Sequence, residues 1–339
     1  SGNLLWDQLI DPADQGTDYR SSFGTSLTSD PDGNIYLGGS FASNSFVLGT
    51  TTYTQTAAVP RGFVAKLDPS GTYLWVVLSG AISAPTGVSS VAYEDEGHLY
   101  AIFKGGLQLV QANGVSVNIP NTGYGSERMV RLDTDGLVHQ ITRFGQQTNY
   151  TIGYLNPDII TATDSRVAPI SPRMEMGPGG RLYVSGFIDD NGAIAIMGAD
   201  TITRLDPTLK YTGYMAVWDT SSGWASAFPT WATDHGNPRE MQRAAFAPDS
   251  EGQVTVMRSW YAYPQAVIEP RLVLADGTEI PGDSGTVMMR WDMDGDLLWW
   301  QRHAYATHYD LACDGSRYLA LAQFGQSAMF DAGGASLST

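Results

Sequence analysis

The chain has 339 residues, a formal net charge of −16 and a charged fraction of only 16%. That length suits one large all-β domain or two ordinary ones, and the acidic surface repels a phosphate backbone, which sets nucleic acid aside as a partner. A single cysteine, Cys313, rules out an intrachain disulfide, and no stretch reaches the length of a membrane span, which sets membrane insertion aside.

Thirty-eight glycines, 17 prolines and plentiful Thr, Ser, Tyr and Val favour strands and turns over helices. Two hairpin signatures alternate along the chain. Ser1-Gly2-Asn3-Leu4-Leu5-Trp6 is the second half of one of them. The other follows as Ser26–Ser29, an Asp30-Pro31-Asp32-Gly33 turn, and Asn34-Ile35-Tyr36. Gly62–Trp75 is the fullest copy of the first: an alternating strand (Phe63, Ala65, Leu67), the turn Asp68-Pro69-Ser70-Gly71, and an apolar strand ending in Leu74-Trp75. The acidic-turn-Tyr signature returns at 91–100, 174–183, 245–255 and 311–318. Its turn glycines Gly33, Gly97, Gly180, Gly252 and Gly315 are separated by 64, 83, 72 and 63 residues. The second signature returns at 130–138, at Thr203-Arg204-Leu205-Asp206-Pro207, where the turn glycine is lost, and at 289–299.

The strand order is therefore a lone D strand, then A-B-C-D four times, then A-B. Each unit is a four-stranded antiparallel meander. Repeated meanders with two apolar faces are the signature of radial stacking in a β-propeller. The expected fold class is an all-β propeller of about five repeat units, either five-bladed or a fragment of a larger ring. It forms a single domain over 1–339, with units at about 1–68, 69–133, 134–206, 207–292 and an incomplete 293–339. Trp6, Trp75 and Trp299 each lie four residues after a turn glycine and are expected to pack between blades. The end of the chain aligns in two ways. Phe324–Asp331 matches the insert at Phe41–Gly49, which makes the chain a piece of a longer protein. Alternatively, Ser327–Gly334 matches Val64–Gly71 and five blades close, with Ser1–Ile10 as the last strand.

Tyr36-Leu37-Gly38-Gly39-Ser40-Phe41, a short insert, and then Gly62–Trp75 resemble the bacterial SBBP-type β-propeller repeat. The resemblance is closest over 1–136, traceable over 174–206 and 245–330, and departs at the inserts 145–172 and 219–240. It implies a propeller fold and an extracytoplasmic location, secreted or on the cell surface, and brings no catalytic residues.

The A–B and C–D turns are short, whereas the D–A and B–C connections are long and variable: 11–24, 42–61, 105–125, 145–172, 219–240 and 260–284. A meander puts these two groups at opposite edges, and binding residues concentrate on variable loops held by a rigid scaffold. Trp218, Trp224, Phe228, Trp231, His235, Trp260, Tyr261 and Tyr263 fall in or beside that long-loop face. Aromatic faces flanked by carboxylates suit sugar stacking or a protein hot spot; alternatively, they form the small core that a long loop needs. The Asp-rich turns offer Asp30, Asp32, Asp292, Asp294 and Asp296 as Ca²⁺ ligands, but Asp and Gly are also what tight turns require. His303, His308 and Asp310 have a spacing that could serve a metal or an acid–base pair, but no third ligand is fixed. No metal site, cofactor or catalytic motif is assigned.

The expectation is a non-enzymatic scaffold for binding or adhesion. It would present its long-loop face to a glycan, a protein or another copy of itself. The alternatives are a structural subunit of a surface filament or virion, and a propeller enzyme acting on carbohydrate. The enzyme would gather carboxylates or histidines at the mouth of a central channel.

Overall fold

The computed structural model describes residues 6–7, 11–12, 23–41, 45–54, 61–80, 86–104, 108–118, 127–144, 173–188, 195–197, 200–209, 211–233, 245–261, 272–280, 284–303, 306–313, 315, 317–324, 329–330 and 336–337. Among the described residues the fold is all-β, with antiparallel sheets and no helix. No helix among them is therefore long and apolar enough to cross a membrane. The chain divides into two compact units, Ser1–Thr161 and Ala162–Thr339.

The first unit opens with β1 (Asp11–Pro12), followed by the hairpin β2 (Phe23–Ser29) and β3 (Ile35–Phe41). A small insert hairpin, β4 (Ser45–Leu48) and β5 (Thr51–Thr54), precedes the second main hairpin, β6 (Arg61–Leu67) and β7 (Tyr73–Ser79). Strand β3 pairs with β6, Tyr36 opposite Lys66, which fuses the two hairpins into the meander β2-β3-β6-β7. The plan repeats through β8 (Gly87–Glu94), β9 (His98–Lys104), the insert hairpin β10 (Gln108–Val110) and β11 (Ser116–Asn118), β12 (Glu127–Asp133) and β13 (Val138–Phe144). The second meander is β8-β9-β12-β13. Its insert hairpin β10–β11 reaches back and extends the first meander, Leu109 pairing opposite Ser79 of β7.

The second unit repeats the scheme with β14 (Arg173–Gly177), β15 (Arg181–Ile188), the small hairpin β16 (Ala195–Met197) and β17 (Asp200–Ile202), β18 (Tyr211–Asp219) and β19 (Gly223–Thr233). Then come β20 (Ala245–Pro248), β21 (Val254–Tyr261), the insert hairpin β22 (Leu272–Leu274) and β23 (Glu279–Ile280), β24 (Ser284–Trp291) and β25 (Leu297–His303). Meanders β14-β15-β18-β19 and β20-β21-β24-β25 result, and β22–β23 extends the former with Leu274 opposite Trp231. A two-stranded sheet of β26 (Ala306–Cys313) and β27 (Tyr318–Phe324) and the short hairpin β28 (Met329–Phe330) and β29 (Ser336–Leu337) complete the unit.

The third meander departs from the sequence reading. Its second hairpin is β18–β19 rather than a strand at 203–207, and Asp219–Gly223 is its tight turn rather than the start of a long insert. The physical reason lies in the residues. Tyr211–Trp218 is a continuous run buried at every position, as a central strand with both faces covered requires. Thr203–Pro207 contains a proline and bends instead, with the Asp206 carboxylate accepting the Thr208 amide at 2.7 Å. The third repeat therefore continues beyond residue 206.

Neighbouring meanders pack face to face. Tyr36, Val64 and Val77 of the first meet Val88, Val91, Leu99, Phe103 and Val130 of the second. In the second unit Met215, Val217, Phe228 and Trp231 meet Phe246, Val256, Met289 and Trp291. Close approach needs a bare backbone at Gly62, where a Cβ would lie 2.8 Å from the carbonyl carbon of Gly87.

The turns follow one plan. The Asp68 carboxylate accepts the amides of Ser70 at 2.8 Å and Thr72 at 2.9 Å. Gly71, at φ +84°, closes the loop by donating to the Asp68 carbonyl at 2.9 Å. Asp133 and Asp292 repeat these bonds, the latter with the amides of Asp294 and Asp296. The Asp30 carboxylate accepts the Asn34 amide and side chain, each at 2.8 Å, and the Tyr36 hydroxyl at 3.0 Å. Lys66 stands 4.0 Å away. The carboxylates of Asp30 and Asp292, proposed for Ca²⁺, are thus committed to holding their own turns.

Desolvation pushes the Asp30 carboxyl up, but the bonds from Asn34 and Tyr36 and the Lys66 charge outweigh it and hold the group below its usual value of 3.8. A depressed carboxyl contributes stability that is complete above its unfolded value and is lost as pH falls through the folded one. Urea midpoints measured across acid pH are therefore expected to fall less steeply below about pH 4 for Asp30→Asn than for the parent. An identical acid limb would contradict this.

Candidate active site

The aromatic residues picked from the sequence are mostly interior. Trp218 is buried on β18 and meets Trp224 edge-on across the Asp219–Gly223 turn, with ring centroids 5.1 Å apart. That places the pair at a tight-turn edge, not on the long-loop side. Phe228 is buried over the bare Cα of Gly295 and lies 6.2 Å from the Trp291 ring. Trp231 covers Gly213, where a Cβ would come within 2.1 Å of the indole, and its ring lies 4.3 Å beneath the Arg258 guanidinium. The expectation of a displayed aromatic patch is corrected for Trp218, Phe228 and Trp231, all buried: Phe228 and Trp231 fill the space between the faces of the two meanders, and Trp218 packs against Trp224. Trp224 is half-buried. Trp260 and Tyr261 lie in β21, but their side chains, like His235 and Tyr263 as a whole, lie outside the described residues.

Two carboxylates on first strands influence one another elsewhere. The first strands β14, β20 and β26 lie side by side. On β14, Met174 points into the core and is buried, while Glu175 faces solvent. On β26, the pairing with β27 shifts between His308 and Asp310. An irregularity of this kind re-aims a side chain, and the same shift occurs in β2 and β8. Asp310 is exposed, and its carboxylate accepts the Leu311 amide at 3.0 Å.

Glu175 is accessible to solvent, but neighbouring protein crowds it and strips part of its hydration. That crowding is the main cause that pushes its carboxyl up to about 7. The negative charge of Asp310 raises it further, and Arg173 opposes the rise. A carboxyl poised there is divided between acid and base at neutral pH, which is where proton transfer in both directions is most efficient. With a charged carboxylate and a guanidinium beside it, the arrangement can donate a proton, accept one, and bind an anionic group.

Sequence reading found Asp310 in the cluster His303, His308 and Asp310, but missed Glu175. His303 is buried, and burial holds its imidazole below the ordinary value. The side chain of His308 lies outside the described residues. A signal for Glu175 exists in the register. Opposite Tyr36, Tyr100, Thr255 and Tyr318 the first strands carry Thr28, Ala92, Ala247 and Cys313, all small. Opposite Tyr183 the third repeat carries Glu175. Among the described residues no group of three or more His, Cys, Asp or Glu could hold a metal.

No protein-family model and no curated protein matches the chain. Solved structures do resemble it in fold. A polysaccharide lyase, an ulvan lyase, aligns with a TM-score of 0.42 and 15% identity over 88% of this chain and 63% of its own. A rhamnogalacturonan lyase aligns with a TM-score of 0.36 and 12% identity over 98% of this chain and 62% of its own. A Synechocystis apocarotenoid oxygenase variant aligns with a TM-score of 0.37 and 10% identity over 88% of this chain and 55% of its own. The chain thus spans less than two thirds of the length of each. All three are enzymes, and this corrects the expectation of a non-enzymatic binding or adhesion scaffold. Likenesses this distant carry no activity across, so the chemistry must come from the residues of this chain.

Proposed function

We propose that this chain is a propeller-type enzyme that acts on carbohydrate outside the cytoplasm. Glu175 is the general acid–base group, and Asp310 is its ionised partner. The meanders serve as blades of the SBBP kind, and their first strands form the inner wall on which the two carboxylates stand. One observation carries the reading: first strands of separate repeats bring Glu175 into the field of Asp310, and desolvation first, with that charge adding to it, raises the Glu175 carboxyl to about 7. Breaking a glycosidic linkage calls for such a pair, one group carrying a proton and its neighbour ionised. Arg173 suits an acidic sugar.

The test is a screen of the purified chain against acidic and neutral polysaccharides. Reducing ends report any cleavage, and the ultraviolet absorbance of unsaturated ends separates elimination from hydrolysis. On any substrate cleaved, Glu175→Gln is expected to lower kcat at least about a hundredfold. Asp310→Asn is expected to move the pH optimum to the acid side, because the charge that raises Glu175 is gone. An unchanged rate in a folded Glu175→Gln protein overturns the assignment. Stability supplies a second readout. A carboxyl raised from 4.5 to about 7 keeps its proton in the folded state while the unfolded chain has lost its own, so stability falls as pH rises across that window. Glu175→Gln is expected to remove that decline.

A further inference from the structure

The turn between β24 and β25 is gripped by the third meander at a single residue, Met293. In the first unit the residue after the turn aspartate lends its carbonyl to an indole of the joint: Thr134 accepts from Trp75 at 2.8 Å, and Pro69 from Trp6 at 2.9 Å. Met293 follows Asp292 in the same way. Its carbonyl accepts the Ser226 hydroxyl at 3.1 Å, while Phe228 covers the turn glycine Gly295. Its side chain is held as well, because Arg181 Nη1 donates to the Met293 sulfur at 2.9 Å.

Arg181 reaches across because its own turn lacks a carboxylate. Asn34 and Gln253 stand four residues after Asp30 and Asp249 and give these carboxylates their amides at 2.8 and 3.0 Å. The third meander carries Gly177 where those carboxylates stand, paired opposite Arg181. The guanidinium therefore turns to the next meander, where a permanent cation spends a donor on a thioether, a weak acceptor. Met293 is half-buried, whereas Met129, Met174, Met215, Met257 and Met289 are each 2% exposed or less. Beside the sulfur lies the bare Cα of Gly252, where a Cβ would come within 3.0 Å of it.

We propose that Met293 is a site of oxidation by peroxides and that Arg181 holds the resulting sulfoxide. A sulfur lone pair attacks one peroxide oxygen, and the S–O bond forms as the O–O bond breaks. The departing oxygen keeps the bonding pair, takes the proton of the transferred oxygen and leaves as water or an alcohol. Sulfur is oxidised by two electrons and the peroxide is reduced by two. The guanidinium favours this step, since negative charge builds on the departing oxygen. The product is polar where the thioether was apolar, and its oxygen is the stronger acceptor. Arg181 is half-buried on a flexible stem, so it can draw back by the length of the new bond and keep its hydrogen bond. Methionine oxidation in a core disrupts packing. Here it exchanges a weak contact between two meanders for a charge-assisted hydrogen bond.

The test exposes the purified chain to hydrogen peroxide, locates added oxygen by peptide mass spectrometry, and compares urea midpoints before and after treatment. Met293→Leu, treated alike, carries whatever the other methionines contribute, and leucine nearly conserves the volume. Met293 is expected to gain one oxygen ahead of the five buried methionines. The change in midpoint on treatment should be more positive for the parent than for Met293→Leu, and Arg181→Gln should abolish that difference. A Met293 that stays unmodified in peroxide sufficient to oxidise free methionine overturns the proposal. So does a treated parent that gains nothing over Met293→Leu, or an equal gain in Arg181→Gln, since the sulfoxide would then not be held by the guanidinium.

Discussion

Trp231→Ala is expected to cost the protein about 3–5 kcal/mol, the penalty of deleting a large buried aromatic. Three contacts set that size. The indole is 2% exposed, it fills the space left by the missing side chain of Gly213, and it lies under Arg258, itself 2% exposed. Truncation removes apolar contact and leaves a guanidinium over a void, losing its cation–π interaction as well. The void cannot close easily, because Trp231 pairs opposite Gly213 and Leu274 in a strand held on both sides. Trp224→Ala, at a half-buried turn position, should cost only about 0.5–1.5 kcal/mol, the scale of one aromatic pair. Urea titration of both variants checks the contrast. A Trp231→Ala protein within about 1 kcal/mol of the parent would show that the ring is not part of the core.

The second large effect is expected at Asp249. Its carboxylate is 4% exposed and accepts the amides of Glu251 at 2.9 Å and Gln253 at 3.0 Å. It also pairs with Arg290 and lies 3.3 Å from the Tyr318 hydroxyl. Asp249→Ala leaves a cation without its partner and two turn amides without their acceptor, at a cost of about 3 kcal/mol. Asp249→Asn keeps an acceptor and should cost less. The double variant Asp249→Ala with Arg290→Met should recover part of the loss, because removing both charges is cheaper than stranding one. Additive losses in that cycle would mean that Asp249 acts through the turn alone.

The repeated meanders were readable in the sequence because their signal is short-range. An aspartate, a glycine three or four residues later and alternating apolar flanks specify a hairpin without help from elsewhere. Trp6 and Trp75 were readable as joints for the same reason, by their fixed distance from a turn glycine. The third repeat was misread where Thr203–Pro207 imitates a strand while the buried run Tyr211–Trp218 lacks alternation. The site was less readable. Trp218, Phe228 and Trp231 looked like surface aromatics because their turn was assigned to the wrong edge. Glu175 was invisible because its distinction is relational: it stands where other repeats place Thr, Ala or Cys, and its partner Asp310 comes from another repeat. Such a pair is visible only once the register of each first strand is known.

The hairpins β10–β11 and β22–β23 give the chain a polarity. Each grows from the insert of one meander and adds backbone hydrogen bonds to the outer strand of the meander before it. Neighbours therefore do not hold one another symmetrically. A later repeat clasps an earlier one, as a roof tile overlaps the tile below it. Damage to a later repeat also exposes the edge of its predecessor, whereas damage to an earlier repeat leaves its successor's own four strands intact. Under tension, unravelling should run more readily from the carboxyl end of each such pair toward the amino end than in the opposite direction.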